Sequence, residues 1–161
     1  MGRHYDGDIS GKFWFGVQDS GDAVHFGAEE IPYSHEYHGK QSEDDDGNII
    51  YEDEEEEYHS GFIDYCISFD RIDDVKEGIE LCKRQMAGNY KTISNFFENG
   101  GNGGYNDEMI IKYYKDTHGI VINEAFLQSN MQIYARLQLG IQILVYFNEN
   151  PGKDCHFTAE M

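Results

Sequence analysis

No run of apolar residues in the 161-residue chain approaches the roughly 18 that a membrane span requires, so no helical membrane span is expected in it. Nor does it open with a basic start followed by an apolar stretch, so the expectation is a protein that is not exported. Cysteine is scarce: Cys66, Cys82 and Cys155 form no CxxC or other metal spacing, and an odd number suits no disulfide framework. The expected compartment is therefore reducing and cytoplasmic. Basic residues are short as well, 12 Lys and Arg against 31 Asp and Glu, for a formal charge of -19. Such a field repels nucleic-acid phosphates and anionic lipid, so direct nucleic-acid and membrane binding are both disfavoured. The glycine run from Gly100 to Gly104 has no GK[ST] ending and follows a helical pattern, so it is a linker and no phosphate loop.

Aromatic residues, by contrast, are plentiful. With 12 Tyr and 10 Phe the chain can bury a substantial core, although only 39% of its residues are hydrophobic. A length of 161 residues suits a single domain spanning the whole chain, which would bury roughly 70% of its unfolded surface. The acids are concentrated. Glu43 to Asp46 and Glu52 to Glu57 lie in one segment without a base, and an acidic hairpin or loop is expected at about residues 40–59, with Asp46-Gly47-Asn48 as its turn.

Hydrophobic periodicity supplies the elements. Phe13 to Gln18 alternates Phe13, Phe15 and Val17 with Trp14, Gly16 and Gln18, the period of a strand. Gly61 to Phe69 does the same, with Ile63, Tyr65, Ile67 and Phe69 on one side and Asp64, Cys66 and Ser68 on the other. Ile72, Val75, Ile79, Cys82 and Met86 recur at helical spacing and predict a helix from about Asp73 to Ala87, ended by Gly88. Asn89 and Asn106 each start a shorter helix, and Asn123 starts a long one with an apolar stripe wide enough to pack on two sides. After Asn150-Pro151-Gly152, Cys155, Phe157 and Ala159 alternate with His156, Thr158 and Glu160 as a last strand. Strands early and helices late predict an α+β fold, a small antiparallel or mixed sheet packed against a helical layer with a long C-terminal helix.

Three groups of residues invite a chemical reading. Arg3, His4, Tyr5, Asp6 and Asp8 combine a histidine with carboxylates, the pKa range of proton transfer or substrate binding, yet no nucleophile or oxyanion device accompanies them. A structural role for them is favoured. Glu52, Asp53, Glu54, Glu55, Glu56 and Glu57 offer a surface for a basic partner. The surrounding loop makes a poor EF-hand, with Ser42 first and Asp53 twelfth when Gly47 is sixth. His35, His38 and His59 could gather a metal if the two arms of the hairpin met, but extended chain sends alternate residues apart, so the reading assigns no metal and no cofactor.

The opening run, Met-Gly-Arg-His-Tyr-Asp-Gly-Asp-Ile-Ser-Gly-Lys-Phe-Trp-Phe over residues 1–15, resembles that of an uncharacterised viral and phage-type family, with weaker support from the Phe62 to Phe69 strand and the long last helix. The resemblance implies a viral or phage-type origin and carries no activity or functional residues with it. The expected function is that of an acidic binding protein that engages a basic protein surface and competes with nucleic acid for it. Catalysis is not favoured. The alternatives are a small enzyme or ligand-sequestering protein with a pocket near His4, Tyr5 and Asp6, and a minor virion component.

Overall fold

The computed structural model describes residues 4–12, 19–31, 41–43, 49–51, 61–99 and 106–161. In chain order the strands are β1 (His4–Gly7), β2 (Gly11–Lys12), β3 (Glu29–Glu30), β4 (Gln41–Glu43), β5 (Ile49–Tyr51) and β6 (Phe62–Ile67). A 3-10 turn, Asp22–Phe26, lies between β2 and β3. Four helices follow, α1 (Ile72–Met86), α2 (Asn89–Glu98), α3 (Asp107–His118) and α4 (Glu124–Glu149), and β7 (Cys155–Glu160) closes the series. The fold is α+β. The expected strand at Phe13–Gln18 lies outside the described residues, as do residues 40, 44–48 and 52–59 of the expected acidic hairpin or loop.

The main sheet has the order β2-β1-β7-β6-β3, with every pairing antiparallel. β4 and β5 form a separate antiparallel pair, with Gln41 opposite Tyr51. β7 thus occupies the middle of the main sheet although it comes last in the chain, and its alternation sorts the two faces. Cys155, Phe157 and Ala159 are buried, together with Tyr65 and Ile67 of β6 and Tyr5 of β1. Phe157 holds Tyr5 edge-on at 5.6 Å between ring centroids and Tyr65 at 5.7 Å. His156, Asp64, His4 and Asp6 are exposed on the opposite face.

The helices cover the apolar face because each carries a stripe at helical spacing. Val75, Ile79, Cys82 and Met86 of α1 are buried, as are Leu127, Met131, Tyr134, Leu137, Leu139, Ile143 and Phe147 of α4. α4 buries residues around more than half of its circumference because it packs on α1, the 3-10 turn and β7. No helix among the described residues is long and apolar enough to cross a membrane. Asn106 and Asn123 act as the expected caps, their Oδ1 atoms accepting the Met109 N–H at 3.0 Å and the Phe126 N–H at 2.8 Å. Asn89 behaves differently: Gly88 takes the cap position, and the Asn89 Oδ1 accepts the Tyr114 hydroxyl at 3.2 Å, tying α2 to α3.

Tyrosines and one ion pair fasten the 3-10 turn between sheet and helices. The Tyr5 hydroxyl donates to the Asp19 carbonyl at 3.0 Å and the Tyr65 hydroxyl to the Ser20 carbonyl at 2.9 Å. Asp22, almost fully buried, accepts from Arg136 Nε of α4 at 3.0 Å. A buried charge needs such a partner, so the turn has one seat on α4.

Candidate functional site

The solvent-facing side of the main sheet collects the polar groups that the strands do not spend on the core. Register decides which of them meet. Cys66 stands opposite His156, Asp64 opposite Thr158 and Phe62 opposite Glu160, while Asp6 of β1 faces Thr158 from the other side. On this face β1, β3, β6 and β7 hold Asp6, Asp64, Glu160 and Glu29, and none of these four strands contains a lysine or arginine. Arg71, at the start of α1, reaches Glu29 at 3.3 Å and Asp74 at the same distance, an exposed arrangement that screening weakens.

At one end of the face, three different metal-binding or acid–base groups converge. Cys66 Sγ lies 3.8 Å from His156 Nε2, and the Asp154 carboxylate joins them so that the three groups' donor atoms fall within 4.8 Å of one another. The backbone prepares this arrangement. Asp154 Oδ1 accepts the Phe69 N–H at 2.9 Å, and the Tyr146 hydroxyl donates to the Asp154 carbonyl at 3.1 Å. Asp8 clasps the other flank of β7: its N–H donates to the His156 carbonyl at 2.9 Å and its Oδ2 accepts the His156 N–H at 2.8 Å. Gly7 makes the clasp feasible, with φ of +136° and a Cβ position that would lie 2.6 Å from the His156 carbonyl oxygen.

Partial burial pushes the Cys66 thiol above its ordinary 9.0, and the carboxylates of Asp154, Glu29 and Asp8 push in the same direction. A nucleophilic cysteine needs the opposite surroundings, positive charge or a helix N-terminus, to hold a thiolate at neutral pH. Cys66 beside His156 is therefore poorly activated for covalent catalysis, despite the resemblance in residue type to a cysteine–histidine dyad.

The residues singled out from the sequence separate by strand parity. His4 and Asp6 are exposed on the polar face, and the His4 N–H donates to Glu160 Oε2 at 3.1 Å. Tyr5, between them, is buried on the helical side, so His4, Tyr5 and Asp6 do not converge on one pocket. Asp8 lies beyond β1, against His156. Arg3, Glu52 to Glu57, His35, His38 and His59 lie outside the described residues. Among the described residues, an open depression of about 250 Å³ is lined by Asp8, Ser10, Gln142, Val145, Tyr146 and Glu149. A second, of about 360 Å³, lies on α1 between His25, Arg71, Asp74, Glu77, Leu81 and Arg84.

Spacing along the chain does not reveal Cys66, Asp154 and His156 as a group, because 90 residues separate the first from the last. Their strand parity does carry a signal: Cys66 shares the polar side of its strand with Asp64, and His156 the polar side of its strand with Thr158. Pairing the two strands is the step that joins them. In comparisons with protein-family models, curated proteins and solved structures, nothing matches this chain.

Proposed function

We propose that this protein is an acidic binding protein that engages a basic protein surface through the polar face of its main sheet, competing with nucleic acid for that surface. The observation that carries the reading is the acidic set on the face: Asp6, Glu29, Asp64 and Glu160 stand on four of the five strands of the sheet, none of which contains a lysine or arginine, and the edge strand β2 adds a single base, Lys12, in register with His4. A chain charge of -19 extends the field beyond contact distance and speeds encounter with a cationic partner, while the fixed positions on the strands set orientation. Glu52, Asp53, Glu54, Glu55, Glu56 and Glu57 add charge to the same reading on sequence grounds. The open depressions leave a small molecule largely exposed, which favours a macromolecular partner over a sequestered ligand.

The test separates an oriented face from bulk charge. Binding to an arginine-rich DNA-binding domain is measured from about 50 to 300 mM salt, with and without competing duplex DNA. The expected result is affinity that falls steeply with salt and is lost to DNA. Neutralising Asp6, Asp64 and Glu160 to Asn, Asn and Gln should weaken binding far more than neutralising the exposed Glu77, Glu108 and Asp116 to Gln, Gln and Asn. Equal losses from the two triple variants, which change net charge identically, would overturn the proposal.

A further inference from the structure

We propose that Cys66, Asp154 and His156 form a binding site for one divalent cation of the zinc class. The site is independent of the charge-based reading above, since it rests on ligand type and geometry at one end of the sheet.

The donor set comes first. A thiolate, an imidazole and a carboxylate are the three side-chain ligands that zinc and its neighbours accept, whereas calcium and magnesium take oxygen ligands alone. Geometry agrees with that choice. Tetrahedral bonds of roughly 2.3 Å to sulfur and 2.0–2.1 Å to nitrogen place those two atoms about 3.6 Å apart. Cys66 Sγ and His156 Nε2 already lie 3.8 Å apart, and the Asp154 carboxylate closes the triangle within 4.8 Å. Small side-chain adjustments would complete three bonds and leave the fourth position to water or to a donor from a partner.

The ligands stand on rigid supports. Cys66 and His156 are register partners on β6 and β7, the two longest strands of the sheet, so the ladder itself sets their separation. Asp154 is held by the Phe69 N–H, and the His156 backbone is held by Asp8 on its other side. Sites on paired strands keep their ligands in place better than sites on loops. Cys82 and Cys155 are buried in the core, whereas Cys66 is only half-buried and its thiol stands against His156 on the polar face.

Cobalt(II) reads the proposal directly, since a cobalt–thiolate bond adds an intense near-ultraviolet charge-transfer band. Chelator-treated, reduced protein is titrated with Co²⁺ and then with Zn²⁺. The expected result is one equivalent of Co²⁺ with a thiolate band, displaced by Zn²⁺, and Zn²⁺ protection of Cys66 from alkylation by iodoacetamide. Cys66→Ser should abolish the band, and His156→Ala should weaken Co²⁺ binding by more than the roughly 10- to 100-fold that loss of an outer-shell group costs. A variant with His35, His38 and His59 all changed to Ala should keep both band and stoichiometry, which separates this site from those histidines. Absence of the band at stoichiometric Co²⁺, its persistence in Cys66→Ser, or alkylation of Cys66 at an undiminished rate in saturating Zn²⁺ would overturn the proposal. The alkylation experiment uses the unaltered protein, so it decides the matter even if a variant folds poorly.

Discussion

The Phe26 ring lies directly against the backbone of Gly140, where a Cβ would overlap its Cε1 and Cζ atoms. Gly78 of α1 faces the same ring, and a Cβ there would lie 2.7 Å from Phe26 Cδ1 and 2.8 Å from the His25 carbonyl oxygen. Two helical glycines thus make a socket between α1 and α4, and the fully buried ring of the 3-10 turn fills it. Helix glycines weaken a helix by removing side-chain contact and adding backbone entropy, so their presence here is explained by what they admit.

Gly140→Ala should therefore destabilise the protein by about 1–3 kcal/mol, although alanine is the better helix former. Thermal unfolding followed by far-ultraviolet dichroism should show a midpoint lower by roughly 2–4 °C for each kcal/mol lost. Combining Gly140→Ala with Phe26→Leu should cost less than the sum of the two single changes, because the smaller side chain relieves the overlap. Additive losses would show that the contact is not what couples them.

A second prediction has the opposite sign. Ala87 ends α1 with φ of +49° and ψ of -133°, a conformation that glycine adopts readily and alanine does not. Gly88, next to it, has an ordinary φ of -64° and nothing within 4 Å of its Cβ position. Ala87→Gly should stabilise the protein by roughly 1 kcal/mol, the relief of strain exceeding the added entropy of the unfolded chain. Urea midpoints at unchanged m-value provide the measurement, and Ala87→Val should move the midpoint the other way.

The same turn shows what local sequence can carry. Gly88 is a sound stop signal, and α1 ends just before it at Met86, but the residue that takes the positive φ is Ala87, which the local sequence does not mark. α1, α3 and α4 were legible because each combines a 3.6-residue stripe with Asp or Asn at its start, and β6 and β7 because they alternate without interruption. β1 was not: His4–Gly7 shows one buried residue, Tyr5, among three that are polar or glycine, so no alternation is visible until Phe157 stands beside it. β3 and the Asp22–Phe26 turn are too short to have a period. The sheet order and the meeting of Cys66 with His156 arise from a pairing between distant parts of the chain, to which local patterns contribute parity and nothing more.

Asp8 illustrates how a residue that looks chemical on sequence grounds can hold the scaffold. Its carboxylate accepts the His156 N–H, and Gly7 must keep φ of +136° for it to do so. Asp8→Ala should accelerate hydrogen exchange at the His156 amide and lower stability by about 1 kcal/mol, with Gly7→Ala costing more because its Cβ meets the β7 backbone. Unchanged exchange at His156 in Asp8→Ala would remove the clasp from the account.

The final prediction concerns alkaline pH. Burial pushes the Cys155 thiol from 9.0 up to about 12, with Asp8 and Cys66 adding to the effect. Burial likewise raises the Tyr114 hydroxyl from 10.0 to about 12, with Tyr113 adding to it. In the unfolded chain these groups ionise near their ordinary values, so between those values and about 12 the unfolded chain has released protons that the folded chain retains. Their contribution to stability is fully present below pH 9 and is lost as the pH rises through about 12. Urea midpoints at about pH 8, 10 and 11 should fall progressively in the unaltered protein. Tyr114→Phe loses the hydrogen bond to Asn89 and starts lower by about 1 kcal/mol, but its midpoint should fall less between pH 10 and 11. Cys155→Ala should also start lower, because it leaves a small void in the core, and should lose less as the pH rises above 9. Slopes equal to that of the unaltered protein in both variants would mean that neither group is held neutral by the fold.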